Sequence, residues 1–131
     1  MASTVTIVYG EVAEGSDPVF RRLLSSDAGV ALVQSDVSAI DLKVYQGNSP
    51  GTPLYTAPGG TFTTANMSNT LQTDGWTLGG SGYNFKARVP AASVPMDGGE
   101  NYRYEFIFTL TNGLGIASAI FIVKCVALTS Q

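Results

Sequence analysis

The chain has 131 residues, enough for one domain that buries a real core without disulfides or a structural metal. Only 13% of it is charged and the net charge is −3, so there is no basic footprint for nucleic acid and no acidic run for a polycation. It holds no histidine and a single cysteine, which removes the commonest general base, the usual partner of a nucleophilic serine and a structural zinc site.

From the N-terminus, Val5, Ile7 and Tyr9 alternate with Thr4, Thr6 and Val8 and predict a short strand. Residues 10–18, with three acids, two glycines and a proline, predict a solvated linker. Residues 1–18 are thus expected to be an arm, or an ordinary first strand plus linker, ahead of a β-domain at 19–131. An arm of this kind can add to the sheet edge of a neighbouring subunit. This segment has neither the basic start nor the long apolar core of a Sec-type leader.

Residues 19–24 predict a strand in which Arg21 and Arg22 fall on opposite faces. A turn at 25–29 follows, then one helical turn or loop at 35–38. Ile40, Leu42 and Val44 alternate cleanly with Asp41, Lys43 and Tyr45. After a loop at 46–53, short strands are expected at 54–56 and 61–65, with a weaker one at 70–73. Trp76 and Tyr83 flank a glycine-rich loop, and Tyr83, Phe85, Ala87 and Val89 alternate up to Pro90, which ends that strand. Residues 95–101 form a second turn-rich loop.

The last quarter is a hairpin. Tyr102, Tyr104, Phe106, Phe108 and Leu110 alternate with Arg103, Glu105, Ile107 and Thr109, and a turn follows around Asn112 and Gly113. The return run does not alternate: Ile120 and Ile122 occupy one face while Phe121, Val123 and Cys125 occupy the other. A strand apolar on both faces needs two apolar partners. Lys124, on the side of Ile120 and Ile122, marks that side as the one that meets solvent or a partner. Phe121, Val123 and Cys125 are then the expected core, with Cys125 a buried, inert thiol. The longest apolar stretch is interrupted by Lys124 and falls short of the roughly 20 residues a spanning helix needs.

Seven to nine short strands separated by turns predict an all-β protein, a single immunoglobulin-like antiparallel β-sandwich, with a jelly roll as the alternative. Weak chemical candidates do not rise above this frame. Asp41 and Glu105 lie on polar sides of strands, where solvated surface charge is the ordinary reading. Asp97, Glu100 and Asn101 carry oxygens in one loop but fit no EF-hand spacing. Glycines 79, 80 and 82 are followed by neither lysine nor a helix start, so no phosphate cradle is read there. The chain is expected not to be an enzyme and to need no cofactor or metal. Trp76 and Tyr83 support an alternative in which exposed rings stack on sugars, as in a carbohydrate-binding or adhesin module.

Residues 31–45, with Gln34, Ser35, Asp36, Val37 and Ser38 leading into the strand at 40–45, resemble the opening of small immunoglobulin-like structural proteins of tailed-bacteriophage virion gene clusters. The resemblance extends through Gly82, Tyr83, Asn84 and Phe85 and the strand of Tyr102 with its Asn112–Gly113 turn. It implies a virion structural protein made in the host cytoplasm: a capsid decoration (cement) protein bound to the major capsid protein, or a tail or baseplate accessory. It carries over no catalytic residue. Expected partners are the major capsid protein or another virion protein, with self-association open, and neither nucleic acid nor membrane. The expected contact residues are Val5, Ile7 and Tyr9 in the first strand and Ile120 and Ile122 in the last.

Overall fold

A computed structural model of the chain describes residues 5–26, 29–47, 51–76, 82–111 and 115–127, with side chains from residue 7 onward. Among the described residues there are eight strands: β1 (Val5–Ala13), β2 (Val19–Arg22), β3 (Val37–Gln46), β4 (Tyr55–Thr56), β5 (Met67–Gln72), β6 (Tyr83–Arg88), β7 (Asn101–Leu110) and β8 (Ile116–Val126). They form two sheets, one in the order β1-β8-β7-β3-β4 and the other β2-β6-β5. Every pairing is antiparallel except that of β1 with β8, which is parallel. The protein is all-β, as the turn spacing predicts.

The inward faces of the two sheets share one core. Strict alternation on β7 turns Tyr102, Tyr104, Phe106, Phe108 and Leu110 inward, and all five are buried. From the smaller sheet, Phe20 meets Tyr104 and Phe121 at ring-centroid distances of 4.7 Å each, and Phe85 meets Phe106 at 5.0 Å and Phe108 at 4.9 Å. These tilted and edge-on contacts each add about 0.5–1.5 kcal/mol beyond the area they bury. On β8 the inward residues are Ala117, Ala119, Phe121, Val123 and Cys125, so the expected core side of the return strand is the observed one.

Three differences from the sequence reading have physical causes. The first strand does not stop at Tyr9 but runs to Ala13, because Val8 and Val12 continue the inward period and pack against the core with Gly10 between them. The segment is therefore paired to its own β8, as an ordinary first strand, and the linker shrinks to the turn at 14–18. Residues 61–65 are not a strand: Phe62 makes one isolated bridge to Ile40, then residues 64–66 form a 3-10 turn. Thr63 and Asn66 cap that turn reciprocally, the Thr63 hydroxyl accepting from the Ala65 N–H at 3.2 Å and the Asn66 side chain accepting from the Thr63 N–H at 2.9 Å. The weak candidate at 70–73 is instead the second half of β5, which starts at Met67.

The corner before β7 is fixed by Tyr102, whose hydroxyl accepts from the Asp97 N–H at 2.7 Å. Gly82 has φ of +130°, and a Cβ there would lie 2.3 Å from the Gln72 carbonyl oxygen, so only glycine lets β5 approach β6 at that point. The Asn112–Gly113 turn and residues 79–81 lie outside the described residues.

Candidate functional site

The five residues singled out by the pattern of β1 and β8 are neighbours on one ladder. Val5 pairs with Ser118, Ile7 with Ile120 and Tyr9 with Ile122. Paired residues of adjacent strands point to the same side of a sheet, so Ile7, Tyr9, Ile120 and Ile122 form one apolar stripe on the outer face of the larger sheet. The side chain of Val5 lies outside the described residues. Ile7 is 41% exposed and Tyr9 71%, whereas Ile122 is half-buried and Ile120 only 3% exposed. Ile120 is flanked by Ile7 on β1 and Glu105 on β7, which cover it, so the accessible part of the stripe is Ile7, Tyr9 and Ile122. Lys124 is exposed at its end beside Glu11.

The stripe meets a polar rib on β7. Arg103 pairs in the ladder with Ile122, Glu105 pairs with Ile120, and the two side chains form an ion pair at 3.3 Å. The side chain of Arg103 is only 13% exposed, and its Nε is buried without a partner. Beyond it stand Tyr45 and Lys43 of β3. The face thus combines an apolar edge with a largely desolvated ion pair.

The other sequence candidates are placed as follows. Trp76 and Tyr83 come together, with ring centroids 5.8 Å apart, but Tyr83 is only 2% exposed. Its hydroxyl donates to Asp74 Oδ1 at 2.6 Å and the Arg21 guanidinium lies 5.6 Å from its ring centre, so it offers no face to a sugar. Glu105 is spoken for by Arg103, while Asp41 is exposed opposite Ile107. Cys125 is fully buried, and burial pushes its thiol up from the ordinary value, which keeps it protonated and unreactive. The loop at 97–101 uses its backbone to brace the fold: Gly99 N–H donates to the Cys125 carbonyl at 2.7 Å. Among the described residues no three His, Cys, Asp or Glu side chains gather as metal ligands.

No protein-family model, curated protein or solved structure matches this chain.

One feature of the surface is invisible in the sequence. A cleft of about 410 Å³ opens between the outer edges of β1 and β2, walled by Val8, Val12, Phe20, Phe121 and Val123 with Trp76 and Arg21 at its rim. The core is open on this side because no described strand pairs with the outer edge of either β1 or β2. Seeing it requires knowing that these two strands, consecutive in the chain, belong to different sheets. The only trace in the sequence is the Arg21–Arg22 pair in an otherwise apolar segment.

Proposed function

We propose that this chain is an immunoglobulin-like β-sandwich acting as a non-enzymatic virion structural protein, a capsid decoration protein that docks on the major capsid protein through the outer face of β1 and β8. The fold reading is supported by the strand orders β1-β8-β7-β3-β4 and β2-β6-β5, which follow the GFC and BED sheets of immunoglobulin domains, and by the first strand running parallel to the last. The Tyr102 hydroxyl bonded to the Asp97 backbone supports it too, being the kind of corner contact those domains make before their penultimate strand. A jelly roll would divide eight strands into two Greek keys and has no place for the parallel pair.

The observation that carries the docking role is the apolar stripe on the solvent side of β8, a strand whose other side is already core. Burying Tyr9, Ile7 and the rest of Ile122 against a shell lattice contributes about 25 cal/mol per Å² of apolar surface. Many copies on one shell turn a modest single contact into stable attachment. The virion assignment rests on the resemblance of residues 31–45, 82–85 and the β7 hairpin to phage structural proteins. Co-sedimentation tests it, using the purified chain and shells assembled from the major capsid protein it is proposed to decorate. The wild-type chain is expected to pellet with the shells in saturable fashion. Tyr9→Lys combined with Ile122→Lys is expected to stay in the supernatant while keeping its β-sheet circular dichroism. Undiminished binding by that variant would refute the stripe as the docking surface, and no binding by the wild-type chain would refute the decoration role.

A further inference from the structure

The cleft between β1 and β2 leaves core residues Phe20, Phe121 and Val123 lining a groove with an unpaired strand edge on each side. Natural sheets blunt their free edges, and the other two edges here follow that rule. β4 is two residues long, and β5 loses register between Met67 and Gln72. β1 has nine residues, no lysine and no proline, and carries exposed Ile7 and Tyr9. We infer that this side of the molecule is a homodimer interface, closed by reciprocal pairing of β1 with β2 of a second copy of the chain.

Charge selects this pairing over the others. Glu11 is the single charged residue of β1, while β2 carries Arg21 and Arg22. Joining β1 to β1 brings two acidic edges together and joining β2 to β2 brings together two pairs of arginines. Only β1 against β2 opposes unlike charges. A two-fold axis along the strands performs both pairings at once, giving a closed, isologous contact.

Register agrees with charge. The turn at 14–18 reverses the chain between the two strands, so β1 meets β2 of the second copy antiparallel. Setting Glu11 opposite Arg21 of the second copy also sets Val12 opposite Phe20, Ala13 opposite Val19 and Gly10 opposite Arg22. Apolar faces apolar on the core side, and Gly10, with open space where a Cβ would be, leaves room for the longer arginine. Arg21 retains capacity for Glu11, because Asp74, 3.9 Å away, is shared with Lys86 and the Tyr83 hydroxyl. The β8 side of the outer-face stripe stays open in such a dimer, with Tyr9 at the border.

Light scattering during size exclusion tests this directly. The purified chain is expected at twice its 13.7 kDa mass. Glu11→Arg, at an exposed site, is expected to weaken dimerisation about tenfold or more with unchanged circular dichroism. A second variant reads geometry: opposite antiparallel residues have Cα atoms about 4.5–5.5 Å apart, within disulfide range, so Ala13→Cys with Val19→Cys is expected to oxidise to a covalent dimer. Both positions are exposed and Cys125 is buried, so neither fold nor native thiol interferes. A monomer at every concentration, a dimer indifferent to Glu11→Arg, or an oxidised product linked only within one chain would overturn the inference.

Discussion

Asn84 holds the fold together in a way its position in the sequence conceals. It sits among Tyr83, Phe85 and Ala87 as the polar member of an alternating strand, which reads as a solvent-facing residue. It is instead the only buried polar side chain among the described residues. Its amide oxygen accepts from Leu24 N–H, and its amide nitrogen donates to the Leu24 and Leu32 carbonyls, all at 2.8 Å. Alternation reports which side a residue faces but not what covers that side. Here the chain between β2 and β3 folds over β6, and Asn84 bonds the Leu24 N–H and the Leu32 carbonyl while adding a second donor to the Leu24 carbonyl, which the Leu32 N–H already reaches at 2.9 Å. Asn84→Ala strands two buried partners, Leu24 N–H and the Leu32 carbonyl, since the Leu24 carbonyl keeps the Leu32 N–H, so it is expected to lower unfolding free energy by about 2–3 kcal/mol, measured as a shift of the urea midpoint. A shift under about 1 kcal/mol would mean that water replaces the amide at little cost. Tyr104 is a quieter case: burial pushes its hydroxyl far above the usual phenol range, and its neighbour is the Met96 sulfur at 3.2 Å.

At the scale of elements, period-2 alternation made β6 and β7 legible almost to the residue and β3 legible from Ile40, while the start of β3 at Val37 fell in a stretch that reads as a helical turn or loop. The two apolar sides of β8 were legible as well, though not that Ile120 on the outer side is buried beneath its neighbours Ile7 and Glu105. What the pattern missed was pairing. Nothing in residues 5–13 announces a parallel partner a hundred residues away, and Gly10 read as punctuation although it lies mid-strand opposite Val123. The turn at 64–66 was mistaken for strand because its Thr63–Asn66 capping pair lies inside a threonine-rich run.

Two carboxylates tie loops to these strands and set a pH dependence. Asp17 is held below the ordinary 3.8 first by the Ala91 N–H, with Arg88 adding. Asp74 is lowered first by the Tyr83 hydroxyl and then by Lys86. As pH falls, the unfolded chain takes up these protons before the folded one does. The stability they confer is therefore complete above about pH 4 and lost as pH drops through the lowered folded values. Thermal midpoints from pH 6 to pH 2 are expected to fall less steeply for Asp17→Asn with Asp74→Asn than for the wild-type chain. Equal slopes would show that neither contact outlasts solvent screening.

At the scale of the whole molecule, the two sheets make one side of β8 core and leave the other as surface, while the cleft between β1 and β2 opens the core laterally. The apolar stripe was readable because Ile7, Tyr9 and Ile122 fall on the side of their strands away from the core residues. The cleft was not, because it belongs to the spacing between sheets. One side of β8 faces the core and the other the outer surface of the larger sheet, and adjacent residues separate the two. Chemical denaturation of Phe121→Ala and Ile122→Lys, side by side with the wild-type chain, tests this most directly. Phe121→Ala is expected to cost about 3–5 kcal/mol, the usual penalty for emptying a core phenylalanine. Ile122→Lys is expected to stay within about 1 kcal/mol of wild type at unchanged m-value. An equal loss for both would contradict the account, placing the outer side of β8 in the interior of the fold.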